Sequence, residues 1–328
     1  MKRSLLIAAL STVAAAGSAM AQSSVTVYGR LNDSLEHQKV GDTSDNKVQD
    51  SASRIGFKGS EDLGGGLKAN FVIESGFATD TGAANTGTPT SRFWNRESTV
   101  GLSSSMLGAI RLGNMPASEA YFATADYVSM HNHDTGTSED ALYRGVAVGR
   151  LQNAIAYTTP TVGGLRGDLQ YSLGEGAAGF DHHRSFAVNF DQGALHLGVG
   201  YEATSADQKS LGLRALYELG AFTFGGYVER DSGTAFKRTN IRLSGMYAMG
   251  ASEFHLNVGK AGKTDDVDNT GARQVTVAYN YNLSKRTKVY AFYTEIKNDS
   301  AASYNSEFTG VTTGAKLSSI ALGLRHNF

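Results

Sequence analysis

The chain has 328 residues, with 30 basic against 31 acidic side chains, 39 glycines, three prolines and no cysteine. That balance provides no basic surface for nucleic acid, and the lack of cysteine excludes a disulfide-held secreted scaffold. The 41% hydrophobic share is dispersed, and beyond the first two dozen positions no run approaches the ~18 apolar residues of a membrane-spanning helix.

Lys2 and Arg3 open the chain, an apolar stretch runs from Leu5 to Ala16, and Ala19-Met20-Ala21 has the small-x-small pattern of a signal-peptidase site. Residues 1–21 are therefore expected to be an export signal and 22–328 one barrel domain. Cleavage removes two bases and no acid, leaving 28 against 31, a net charge of −3.

From there the chain alternates. Val25, Val27, Gly29 and Leu31 interleave with Thr26, Tyr28, Arg30 and Asn32. Ile55 and Phe57 oppose Arg54, Gly56 and Lys58. The glycine-rich link 60–66 then leads into Leu67, Ala69, Phe71 and Ile73, opposed by Lys68, Asn70, Val72 and Glu74. The link reads as a hairpin turn and not a phosphate loop, because a strand follows it. Later runs repeat the pattern, and the final one sets Ile320, Leu322, Leu324, His326 and Phe328 against Ser319, Ala321, Gly323, Arg325 and Asn327.

The periodicity predicts about sixteen strands of an all-β, antiparallel transmembrane barrel. They lie near 25–36, 51–60, 66–77, 95–105, 108–114, 150–159, 164–174, 184–192, 194–204, 208–219, 221–231, 237–249, 252–261, 271–283, 286–297 and 314–328. Short turns are expected near 61–65, 160–163, 193, 220, 250–251 and 284–285. Long polar connections are expected near 37–50, 78–94, 115–149, 175–183, 205–207, 232–236, 262–270 and 298–313. Segregated loop lengths, few prolines and aromatics near strand ends (Tyr171, Phe190, Tyr201, Tyr217, Phe222, Tyr281, Phe328) fit such a barrel.

About sixteen strands leave an aqueous channel. Arg30, Arg54, Lys58, Lys68, Glu74, Arg111, Arg214, Glu218 and Arg242 are placed on the inner face, where charge meets water rather than lipid. The longest connection, 115–149, is expected to fold inward as a constriction, its acids Glu119, Asp126, Asp134, Glu139 and Asp140 opposing basic wall residues. The candidate pore-lining set is thus Arg30, Arg54, Lys58, Lys68, Glu74, Arg111, Glu119, Asp126 and Arg214.

Five segments, Ser23–Leu31, Ser53–Glu74, Val100–Asn114, Arg150–Leu165 and Ala321–Phe328, resemble the trimeric general-diffusion porins of beta-proteobacteria, related to the neisserial porins. The resemblance implies an outer-membrane homotrimer of sixteen-stranded subunits that passes ions and small hydrophilic solutes passively. It also implies contact with outer-membrane lipid and lipopolysaccharide, and insertion machinery that reads Phe328. Asn114 stands where many relatives carry another base, and the third loop lacks a Pro-Glu-Phe-Gly segment, so the sign of ion selectivity stays open.

The rival readings are a substrate-specific channel, a phospholipase-like barrel enzyme and an adhesive barrel. The eight histidines, His37, His131, His133, His182, His183, His196, His255 and His326, show no triad spacing and are expected to be solvated loop residues. His131-Asn132-His133-Asp134 has part of a metal clip but no further spaced ligands. No catalytic residue, metal or cofactor is assigned.

Overall fold

The computed structural model describes residues 24–84, 92–128, 131, 135–143, 150–174, 182–204, 207–233 and 236–328; the expected export signal lies outside them. The described chain is almost wholly strand: β1 (Ser24–Val40), β2 (Thr43–Asp50), β3 (Arg54–Gly64), β4 (Leu67–Gly76), β5 (Glu97–Ser104), β6 (Gly108–Met115), β7 (Leu151–Thr158), β8 (Leu165–Ser172) and β9 (His183–Gln192). There follow β10 (Leu195–Thr204), β11 (Lys209–Leu219), β12 (Phe222–Ser232), β13 (Arg238–Met249), β14 (Ser252–Ala261), β15 (Ala272–Asn282), β16 (Thr287–Asn298) and β17 (Lys316–Asn327).

All ladders are antiparallel, and β1 pairs with β17, so the sheet closes on itself. β2 pairs with β1 along Asp33–Val40 and β3 pairs with it along Ser24–Arg30. The two are halves of one stave, interrupted at Ser51–Ser53, where Ala52 adopts φ 57°. The barrel therefore has 16 staves. One expected loop is corrected here: residues 37–50 form a tall β1–β2 hairpin turning at Gly41 and Asp42. Its residues are almost all polar, so the run reads as a loop, yet its ladder continues that of β1 without a break.

Apart from the Gly41–Asp42 hairpin turn, the tight turns among the described residues lie at one rim. Gly193, Gly220 and Gly250 each take φ near 60°, a conformation that costs other residues steric strain. The opposite rim bears the long connections.

Burial runs opposite to that of a water-soluble protein. Leu256, Val277 and Leu322 face outward, 50%, 53% and 68% exposed, while their inward neighbours Asn257, Thr276 and Ser319 are buried. A closed ladder with an oily exterior is what hydrocarbon permits, because no backbone group is left unpaired at an edge. At the short-turn rim, Phe222, Tyr247, Phe254 and Tyr279 face one another across β12–β15, with ring centroids 4.7, 6.4 and 5.1 Å apart. They form part of an interfacial aromatic girdle.

Val277→Arg places a cation on the lipid face in mid-strand. It is expected to destabilise the barrel by about 2–4 kcal/mol, measured by urea unfolding in lipid vesicles. An unchanged midpoint would show that this face does not meet hydrocarbon.

Candidate pore constriction

The connection after β6 turns into the barrel. Ser118 caps a helical turn, Glu119–Tyr121, its Oγ accepting the Tyr121 amide at 3.1 Å, and one wider turn, Phe122–Asp126, continues it. The wall beneath has been cleared of side chains. A Cβ on Gly198 would come within 2.3 Å of the Ala123 carbonyl oxygen, one on Gly200 within 2.6 Å of the Ala120 oxygen, and one on Gly212 within 2.8 Å of Thr124 Cγ2. The Ala120 amide donates to Ser185 Oγ at 2.9 Å and the Glu119 amide to Gln170 Oε1 at 3.2 Å. Backbone thus lies directly on backbone, as glycine allows.

The loop then crosses to the seam between the first and last staves. Glu36, fully buried on the inner face of β1, accepts the Thr137 hydroxyl at 2.6 Å and its amide at 3.3 Å, Ser34 Oγ at 2.9 Å, and Gln38 Nε2 and Ser319 Oγ at 3.1 Å each. The Gly136 amide donates to Ser51 Oγ at 2.5 Å, and Arg325 donates to Thr135 Oγ1 at 3.0 Å. The returning limb is clamped at Asp140, which accepts Arg242 Nη2 and the Tyr227 hydroxyl, each at 2.5 Å. Gln274 accepts from Arg242 and from the Ala141 amide, and donates to the Glu139 carbonyl at 2.7 Å. Buried polar wall groups and loop backbone satisfy one another, as burial requires.

Arg30 and Arg54 face each other across β1 and β3 on the inner wall, and Lys58 lies over the Tyr28 ring at 5.0 Å. Lys288 and Arg325 form a second facing pair on β16 and β17. The nearby acids are engaged: Glu74 with Arg96 at 2.5 Å, and Glu97 and Glu119 with Arg111 at 3.6 and 2.8 Å. Burial raises the proton affinity of Glu119 above that of an ordinary glutamate, and Arg111 opposes the rise.

Of the sequence candidates, Arg30, Arg54 and Lys58 come together, and Arg111, Glu119 and Glu74 form a neighbouring charged array. Lys68 sits apart, exposed near the short-turn rim. Arg214 is buried beneath the loop with its guanidinium 3.6 Å from the Tyr127 ring centroid, and Asp126 is half-buried on the loop itself. Glu36, Arg96, Glu97 and Lys288 were not singled out in the sequence. Extending the β1 alternation beyond Leu35 identifies Glu36 as inward-facing.

The histidines require a correction. His131 is buried inside the barrel, its Nδ1 3.2 Å from Asn280 Oδ1 and its ring 5.4 Å from His255 and 5.8 Å from Phe292; His183 and His255 are buried as well. Asn132, His133 and Asp134 of the suggested metal clip lie outside the described residues.

Comparison with known proteins agrees with this geometry. The family profile described as Gram-negative porin matches residues 7–301. Outer membrane porin protein 32 of Delftia acidovorans is 31% identical, over 100% of both chains. The structure resembles an anion-selective porin from Comamonas acidovorans at TM-score 0.75 and 25% identity, covering 94% of this chain and 100% of that one. It also resembles the trimer form of OmpT, an outer membrane protein of Vibrio cholerae, at TM-score 0.68 and 15% identity, covering 93% and 99%.

Two outcomes test the docking. Arg242→Leu leaves Asp140 buried without its cation and is expected to cost about 3–5 kcal/mol in urea unfolding, whereas Glu36→Ala frees the loop tip and raises single-channel conductance; unchanged values would remove these residues from the anchor. The second concerns pH. Burial holds the proton affinity of His131 well below that of a free histidine, and His255, Lys288 and Arg325 add to this while Asn280 opposes it. A released loop takes up the proton near an ordinary pKa of about 6.5. Docking is therefore complete above that pH and weakens as pH falls below it. Conductance is expected to rise on acidification in the wild type and not in His131→Gln.

Proposed function

The chain belongs to the Gram-negative porin family, and from that premise we propose that its pore favours anions and that it works as a homotrimer. The protein is an outer-membrane porin, a water-filled β-barrel through which ions and small hydrophilic solutes diffuse passively. The anion preference rests on one observation: Arg30, Arg54, Lys58, Lys288 and Arg325 crowd the inner wall of β1, β3, β16 and β17, while Glu74, Glu97 and Glu119 are held by Arg96 and Arg111. Wall charge of one sign favours the counter-ion. The likeness to a porin described as anion-selective supports this direction.

The trimer reading draws on a blemish in the oily exterior. Asp33 and Asp50 face each other on the outside of β1 and β2, and both accept from the Thr79 hydroxyl, at 2.5 and 2.7 Å. Charged groups on a lipid face are destabilising, so this patch is the one we expect a neighbouring copy to cover. The trimer form of a structural neighbour is consistent with it. Residues 1–21 are removed on export in this reading, Phe328 addresses the insertion machinery, and lipopolysaccharide surrounds the long-loop rim. We read the barrel as a conduit and not as an enzyme.

Planar-bilayer recording across a salt gradient tests the reading. The wild type should give an anion-signed reversal potential and close in threes. Arg30→Gln, Arg54→Gln and Lys58→Gln together should shift the permeability ratio toward cations several-fold. A triple variant with an unchanged reversal potential would defeat the assignment.

A further inference from the structure

The closing seam carries a pattern that a water-filled conduit does not need. On four consecutive stave contacts an aromatic ring lies over the glycine opposite it: Tyr290 over Gly323, Phe328 over Gly29, Tyr28 over Gly56 and Phe71 over Gly59. A Cβ on these glycines would fall within 2.1, 2.3, 2.5 and 2.3 Å of a ring carbon, respectively. The rings alternate between faces, Tyr290 and Tyr28 inside the barrel, Phe328 and Phe71 outside. Far from the seam, Phe224 stays 3.7 Å from the corresponding point on Gly245. A ring over a glycine supplies the cross-strand contact that glycine lacks, at a closeness only glycine permits. It also fixes register, because a slip of one residue would put ring and glycine on opposite faces.

The Phe328 contact bears most directly on closure. Its amide donates to the Gly29 carbonyl at 3.1 Å, and its carbonyl accepts the Gly29 amide at 3.2 Å. On the inner face the Tyr290 hydroxyl reaches past Gly323 to Asn32 Oδ1 at 3.0 Å, tying β16 to β1 across β17. Asn32 is itself held in place: its amide donates to Ser53 Oγ at 3.0 Å and its side chain to the Ser51 carbonyl at 2.9 Å. The first stave thus offers the last two one prepared contact on each face.

We propose that Gly29 is the capture site for the Phe328 ring, through which β1 takes the C-terminal strand over from the insertion machinery. The proposal rests on the reading that Phe328 addresses that machinery. In the hand-over, the Phe328 amide and carbonyl exchange a foreign strand's backbone for that of Gly29. Backbone hydrogen bonds therefore balance, and the apolar contact of ring with glycine drives the exchange. That contact exists only in the native register.

The first arm of the test folds the urea-unfolded mature chain into phosphatidylcholine vesicles with no other protein, closure being followed by gel mobility without heating. Gly29→Ala should close about ten-fold more slowly than the wild type, but less than about two-fold more slowly in a Phe328→Ala background, the coupling expected of touching residues. Gly101→Ala, whose Cβ meets the Ile110 carbonyl oxygen at 2.2 Å but no ring, should cost the same in both backgrounds. Equal slowing by Gly29→Ala in both backgrounds, or closure at the wild-type rate, would overturn the capture site. The second arm pulse-labels cells and reads how long the chain co-purifies with the insertion machinery. Gly29→Ala should stay bound several-fold longer than the wild type or Gly101→Ala, and release at the wild-type rate would overturn the hand-over. A wild-type chain that never co-purifies would remove the reading of Phe328 and the hand-over with it, while the vesicle arm still decides the capture site.

Discussion

Hydrocarbon has no partner for an amide or a carbonyl, and that constraint organises this molecule. A sheet immersed in it cannot leave an edge open, so β1 must meet β17, as it does from Arg30 opposite Asn327 to Val40 opposite Leu317. Closure fixes the alternation along every stave, because a slip of one residue would turn the polar set outward. The exposed leucines and buried asparagines follow directly from that closure.

Once the wall is closed, the interior takes on the problem that the exterior has solved. Buried carboxylates, amides and guanidinium groups on the inner wall need partners, and the inward loop supplies many of them. The Arg242–Asp140 pair is a costly thing to bury, yet with Tyr227 and Gln274 around it the geometry admits few alternatives. Its effect is to place the returning limb of the loop in one position. The loop in turn takes up Glu36, Arg242 and Arg111 of the inner wall, so docking and wall electrostatics share one network.

Strand content, closure and the inward loop were legible in the sequence because period-two alternation is a local signal repeated around the whole wall. The wall charges Arg30, Arg54 and Lys58 were legible for the same reason. Two things were not. The β1–β2 hairpin is polar on almost every residue, so its strands lack the alternation that marks the others. The anchors of the loop depend on register between distant staves: Glu36 meets Thr137 and Ser319, and His131 meets His255 and Phe292. No spacing within one segment encodes such meetings, and a histidine in a polar stretch reads as solvated until the fold buries it.

The socket that receives the loop tip is shared between the two ends of the chain. Glu36 and Ser51 belong to the opening staves and Ser319 to the last one. During biogenesis the tip has no complete berth until the beginning and end of the polypeptide have zipped together. Seating of the loop tip thus becomes a late event in maturation, completed only when the first and last staves have paired.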